Sequence, residues 1–77
     1  MFFTDDEVIE LKNKKEYFVL NTTMLDDDVF YQIQEVKDDN VIGNKIIIMA
    51  VNKKGNLTID EVVDKKLLTT LNAIWAS

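Results

Sequence analysis

The chain has 77 residues, of which 47% are hydrophobic and 30% are charged, and it carries a formal net charge of -5. This length supplies enough apolar side chains for one core, so we expect a single domain over residues 1–77. The chain contains no His, Cys, Arg or Pro, and Ser77 is its one Ser. This inventory excludes disulfides and most acid-base or nucleophilic catalysis. We therefore expect a binding module rather than an enzyme, with no cofactor and no metal ion.

The acidic balance and the distribution of apolar residues also bear on the partners. A negative net charge repels the phosphates of nucleic acids and the headgroups of anionic lipids. The longest apolar run, residues 46–51, is far shorter than a bilayer span, and the first residues lack the basic and apolar pattern of an export signal. We expect a small soluble, cytoplasmic protein that binds neither a membrane nor nucleic acid directly.

The first half of the chain predicts three strands. Two short runs of β-branched and aromatic residues lie at 8–11 and 16–20, with a polar loop between them, which is typical of a hairpin. Residues 29–36 alternate between apolar and polar side chains, as expected of a strand that is buried on one face.

The run 45–51 is apolar on both faces and is predicted to form a central strand. Each face then needs cover, from a helix on one side and from another surface, such as a second subunit, on the other. Asn and Gly residues at 52–56 predict a turn after this strand. The candidate protein-interaction residues are apolar side chains of this strand and two N-terminal aromatics: Phe2, Phe3, Ile47, Met49 and Val51.

The end of the chain predicts one amphipathic helix, because apolar residues recur there at spacings of three and four. These residues are Leu67, Leu68, Leu71, Ile74 and Trp75. The start of the helix has two interpretations. Residues 58–61 have the spacing of a capping box, which places the start near Ile59. Alternatively, residues 57–59 form a fifth strand and Asp64 is the N-cap, an interpretation that the β-branched residues between them favour.

Together these elements predict an α+β fold. It consists of an antiparallel meander sheet of four to five strands, with one C-terminal amphipathic helix packed on one face.

Acidic residues cluster in the predicted turns. In an up-and-down meander, the start of the first strand and the loop between the second and third strands are expected at the same end of the sheet, near Lys53 and Lys54. The candidate acidic patch consists of Asp5, Asp6, Glu7, Asp26, Asp27 and Asp28. It is either an ordinary solvated loop surface or an array that presents negative charge to a cation or a basic protein.

Residues 55–61 have the spacing of the second half of an EF-hand calcium loop, with Gly55 at the turn and Glu61 as the last ligand. The first half contradicts this interpretation, because Ala50 and Lys54 occupy positions that require oxygen ligands. We therefore expect a turn here rather than a calcium site.

Several stretches resemble one known family. They are EVIEL at 7–11, EYFVL at 16–20, DDDVFY at 26–31, GNL at 55–57 and IDE at 59–61, followed by the amphipathic helix. In this order the chain resembles the short acidic YrzB-like proteins of Gram-positive bacteria, a domain family of unknown function. The resemblance implies strands followed by a helix and transfers no catalytic or binding residue. The chain departs from the family pattern in the loop at 38–44 and in its Lys-rich first turn.

Two functional hypotheses follow. The leading one is an adaptor or regulatory module that binds another protein, or a second copy of itself, through apolar surface. The alternative is an acidic decoy that mimics nucleic acid and occupies the nucleic-acid groove of a host protein, as some phage inhibitors do.

Overall fold

The computed structural model describes residues 3–76. Five strands and one helix follow in chain order: β1 (Val8–Glu10), β2 (Glu16–Leu25), β3 (Asp28–Lys37), β4 (Asn40–Lys53), β5 (Asn56–Glu61) and α1 (Lys65–Ala76). The strands form one antiparallel sheet in the order β1-β2-β3-β4-β5, which curves into a half-barrel. The predicted α+β meander with a C-terminal helix is confirmed. No helix in the described part of the chain is long and apolar enough to cross a membrane.

Three tight turns connect β2 to β5, and each has two central residues. The pairs that close them are Leu25 with Asp28, Lys37 with Asn40, and Lys53 with Asn56. All six central residues have positive φ angles, as in type I′ hairpins: Asp26, Asp27, Asp38, Asp39, Lys54 and Gly55. The loop predicted at 38–44 is therefore wrong. Asn40, Val41 and Ile42 continue the ladder with β3, and β4 begins at Asn40.

The turn at Asp38 and Asp39 requires a backbone conformation that is unfavourable for residues other than Gly. Both residues are left-handed, with φ angles of 53° and 64°, and the second position of this turn type favours Gly. We expect Asp39→Gly to raise the free energy of unfolding by about 0.5 to 1 kcal/mol, because the left-handed strain of an L-residue exceeds the entropy that Gly adds to the unfolded chain. Urea denaturation measures this change.

The control for that change is Asp39→Ala, which removes the same charge but retains the Cβ atom. We expect no gain from it. An equal gain from both substitutions would mean that relief of charge repulsion, and not backbone strain, limits the turn.

The inner face of the half-barrel carries the larger apolar cluster, which contains side chains from β1 to β4 with Ile59 of β5 packed against it. Its buried members are Ile9, Tyr17, Val19, Val29, Tyr31, Ile33, Ile48 and Ala50. Because residues from both ends of the sheet meet in this cluster, the curvature of the sheet covers its own inner face. Ile48 and Ala50 are only 1% and 2% exposed within the single chain.

The second apolar cluster, the outer cluster, contains side chains of β3 and β4 at positions that alternate with those of the inner cluster, together with side chains of α1. Its buried members are Phe30, Ile47, Val62 and Leu71. The Asp64 carboxylate accepts a hydrogen bond from the Leu67 backbone N–H at 3.1 Å, so Asp64 is the N-cap and the later of the two predicted helix starts is correct. Ile74, which the helical spacing assigned to the apolar stripe, is instead 38% exposed.

Candidate functional site

A groove of about 320 Å³ lies on the inner side of the half-barrel, between the β1–β2 loop and β5. Leu11 belongs to one wall, Leu57 and Ile59 belong to the other, and Tyr17 and Ile48 also line it. The groove exists because β1 and β5 are the two edges of the sheet and do not pair with each other. Five strands curve far enough to approach closure but leave one side open.

The loop wall of the groove is fixed by hydrogen bonds. Leu11 N–H donates to the Lys15 carbonyl at 3.1 Å, and Lys14 N–H donates to the Leu11 carbonyl at 3.0 Å. The Asn13 amide donates to the Tyr17 hydroxyl at 3.0 Å, which joins the loop to the buried ring below it. The groove therefore has a preformed wall, which lowers the entropy cost of binding.

The side chains at the groove are apolar in its interior and charged at its border. Its apolar interior is bordered by Glu10 and Glu61 and by Lys12, all of which are exposed. The groove lacks a nucleophile with an adjacent base, which covalent catalysis requires. Within residues 3–76, no group of three or more acidic side chains is placed to hold a metal ion.

The outer edge of β5 lies beside the groove. In an antiparallel ladder, every second residue of a strand directs its N–H and C=O groups toward the partner strand. Val62 N–H donates to the Ile47 carbonyl of β4 at 2.8 Å. Counting back in steps of two, the backbone groups of Asn56, Thr58 and Asp60 therefore also point toward β4. The N–H and C=O groups of Leu57, Ile59 and Glu61 point the opposite way. No strand in the described part of the chain pairs with that edge. Leu57 is also 43% exposed.

β2 extends beyond the end of β1, and hydrogen bonds from the N-terminal segment and from α1 occupy part of that edge of β2. Beyond β1, Asp6 N–H donates to the Val19 carbonyl and Val19 N–H donates to the Glu7 carbonyl, so the N-terminal segment continues the ladder along β2. Further along β2, the Trp75 indole N–H donates to the Thr22 carbonyl at 3.2 Å.

The first part of β4 lies beyond the end of β5, and it is irregular. Its register with β3 shifts between Ile33 and Glu35, and Gly43, which lies within the shift, has a φ angle of 72°. Bulges of this kind discourage further pairing. Among the described residues no strand pairs with the outer side of β1 either. β1 has three residues whereas β5 has six, so β5 provides the longer regular open edge.

The predicted interaction residues do not form one free surface. Ile47 is 6% exposed and belongs to the cluster with Leu71, and Met49 packs against the same cluster. Val51 is half-buried on the same face of β4. Little of these three side chains is therefore exposed to a partner.

Phe3 docks on the inner face of the sheet. Its ring lies 5.1 Å from the Tyr31 ring at an angle of 59°. Its backbone N–H donates to the Tyr31 hydroxyl at 2.9 Å, and this hydroxyl donates to the Phe3 carbonyl at 3.3 Å. Phe2 lies outside the described residues. Phe3 is thus part of the cover of the inner core.

The six residues of the expected acidic patch are divided between two places. Asp6 and Glu7 pair with Val19, whereas Asp26 and Asp27 form the turn seven residues further along β2. At the rise of a strand this separation is about 20 Å. The Glu7 carboxylate also accepts hydrogen bonds from the backbone N–H and the hydroxyl of Thr4. It therefore closes the N-terminal turn.

The groove and the open edge of β5 were not predicted from the sequence. A signal was present, because residues 57–60 alternate between apolar and polar side chains. This alternation indicated a strand in one of the two interpretations of the segment. It did not indicate that the strand would be the unprotected edge.

Comparison of the chain with family models, with curated proteins and with solved structures gives no match.

Proposed function

We propose that this protein is a non-catalytic protein-binding module that acts through the outer edge of β5 and the groove beside it. The observation that carries the proposal is the outward direction of the backbone groups of Leu57, Ile59 and Glu61 next to an apolar groove. Backbone groups on an open edge provide affinity for an extended segment, and adjacent apolar space selects its side chains.

The burial of the two faces of the sheet supports this choice of the β5 edge. We infer that α1 covers the outer face of the sheet, because Leu71 and Trp75 belong to the cluster around Phe30 and Ile47. The inner face is covered by the curvature of the sheet and by Phe3. Binding through either face would require part of the core to open. Binding at the edge of β5 requires no such change.

A site-specific cross-link tests the proposal. We would replace Leu57 with a photoreactive phenylalanine analogue in the native cell and, as a control, place the same analogue at Val41. Val41 is 53% exposed but lies on the irregular part of β4. We expect protein adducts from position 57 and none from position 41. Equal adducts at both positions, or none at position 57, would contradict the proposal.

The acidic decoy is the second candidate. It is favoured by the placement of Asp26 and Asp27 at one turn and Asp38 and Asp39 at another, all exposed. These two turns lie at opposite ends of β3, roughly 30 Å apart at the rise of a strand. Replacing Asp26, Asp27 and Asp28 with Lys distinguishes the two functions. The decoy loses its partner and its salt dependence, whereas binding through β5 is retained.

A further inference from the structure

We infer that the occupant of the β5 edge is a second copy of this chain, bound through antiparallel β5–β5 pairing about a two-fold axis. This inference rests on the proposed function, because it uses the same edge. The two copies would then share one continuous sheet, with the groove of each copy beside the new strand pair.

Hydrogen bonding limits the registers of such a pair. The outward backbone groups belong to Leu57, Ile59 and Glu61, and these residues pair only with outward residues of the other copy. Three registers satisfy this condition and keep Leu57 within the paired region. They place Leu57 opposite Leu57, Ile59 or Glu61 of the second copy. A shift by one residue removes the hydrogen bonds.

Side chains select one of these registers. Leu57, Ile59 and Glu61 lie on the inner side of β5, because their ladder partners on β4 include Ala50 and Ile48, which belong to the inner cluster. Pairing Leu57 with Ile59 gives two equivalent apolar pairs, one on each side of the two-fold axis. Pairing Leu57 with Glu61 opposes an apolar side chain to a carboxylate, and pairing Leu57 with Leu57 shortens the overlap.

The charges along β5 are complementary to those of an antiparallel copy. Lys53 and Lys54 lie at the turn before the strand, and Asp60 and Glu61 lie at its end. In the Leu57–Ile59 register, the turn of each copy lies next to the acidic end of the other. The arrangement is reciprocal, so both ends of the interface are neutralised. A parallel arrangement would place like charges together.

The length of the edge predicts a weak, reversible dimer. β5 has six residues, and an interface built around it is smaller than the roughly 1,600 Å² of a standard stable complex. We expect a dissociation constant on the order of 10 to 100 μM. The structure therefore predicts a monomer in dilute solution and a dimer at high micromolar concentration.

Sedimentation equilibrium with charge-swap variants tests the dimer. One variant carries Lys53→Glu and Lys54→Glu, and the other carries Asp60→Lys and Glu61→Lys. We expect each variant alone to lose at least tenfold in self-association, because each then has like charges at both ends of the paired strand. We expect an equimolar mixture to regain a dimer of one copy of each.

A matched control separates the interface from net charge. Lys15→Glu with Lys37→Glu makes the same change in net charge as the Lys53 and Lys54 variant. Lys15 contacts Glu35 of β3, and Lys37 pairs with Asn40, in a part of the sheet that β5 does not reach. This control should leave self-association close to that of the unchanged chain. Circular dichroism verifies that each variant is folded.

A strict monomer at several hundred micromolar, swap variants that dimerise like the unchanged chain, or a mixture that does not associate would each overturn the inference. If the chain is a strict monomer while position 57 cross-links to another protein, the second copy is excluded and the proposed function stands. If position 57 gives no adduct of any kind, both are excluded.

Discussion

Replacing Leu71 with Ala is expected to leave much of the protein unfolded at room temperature. Among the described residues of α1, only Leu71 is fully buried, and it belongs to the outer cluster. Removing a buried Leu side chain costs about 2 to 5 kcal/mol. A domain of this size without disulfides or a metal has a total stability of roughly 3 to 5 kcal/mol. The loss is therefore comparable with the whole free energy of unfolding.

Urea denaturation followed by Trp75 fluorescence measures this loss, because Trp75 is the single Trp of the chain and packs against the same cluster. The matched control is Ile74→Ala. Ile74 lies on the same helix but is 38% exposed, so we expect a cost below about 1 kcal/mol. If both substitutions cost the same, the helix would not be fixed by Leu71, and the assignment of the outer cluster would be incorrect.

Local patterns in the sequence account for most of the elements. Alternation predicted β3, the two-faced apolar run predicted the centre of β4, and helical spacing predicted α1. Both interpretations of the helix start were consistent with the sequence. The contact that decides between them is the hydrogen bond from Leu67 N–H to the Asp64 carboxylate. Two candidate N-cap residues differ in whether such a hydrogen bond to the helix backbone forms, and the folded chain is needed to show this.

The extension of β4 to Asn40 was missed for a physical reason. Residues 40–45 are exposed, and their two apolar residues, Val41 and Ile42, are adjacent, so they lack the apolar alternation that marks a strand. They are ordered by pairing with β3 and by the turn at Asp38 and Asp39. The Gln34 amide also donates to the Gly43 carbonyl at 2.8 Å. Such pairing depends on the partner strand and cannot be derived from one segment.

The curvature of the sheet was the feature with the largest consequence for the site. The apolar inner face of β4 indicated that a second surface must cover it. The chain supplies that cover itself, because Ile9 of β1 and Ile59 of β5 reach the same cluster. Twist and register shifts create this curvature. They are collective properties of several strands, and so the groove between β1 and β5 could not be predicted from the sequence.

Proline substitutions at adjacent positions of β5 are expected to destabilise the monomer by very different amounts. Thr58 directs its backbone N–H toward Val51 of β4, so Thr58→Pro removes a ladder hydrogen bond and places the ring against β4. We expect it to cost about 3 kcal/mol or more. Leu57 directs its N–H toward the open edge, and Leu57→Pro should cost less than about 1 kcal/mol. Urea denaturation at low protein concentration, where the monomer predominates, measures both.

The same pair of variants links the fold to the proposed site. Leu57→Pro removes one of the outward N–H groups and half of each apolar pair in the dimer, so it should abolish self-association while the monomer stays folded. Leu57→Ala is its control, because it shortens the side chain but keeps the N–H, and it should weaken the dimer only partly. If Thr58→Pro is tolerated and Leu57→Pro unfolds the protein, then the outward groups belong to the other set of residues. The open edge would then present Asn56, Thr58 and Asp60, and both the preferred register and the proposed dimer would be wrong.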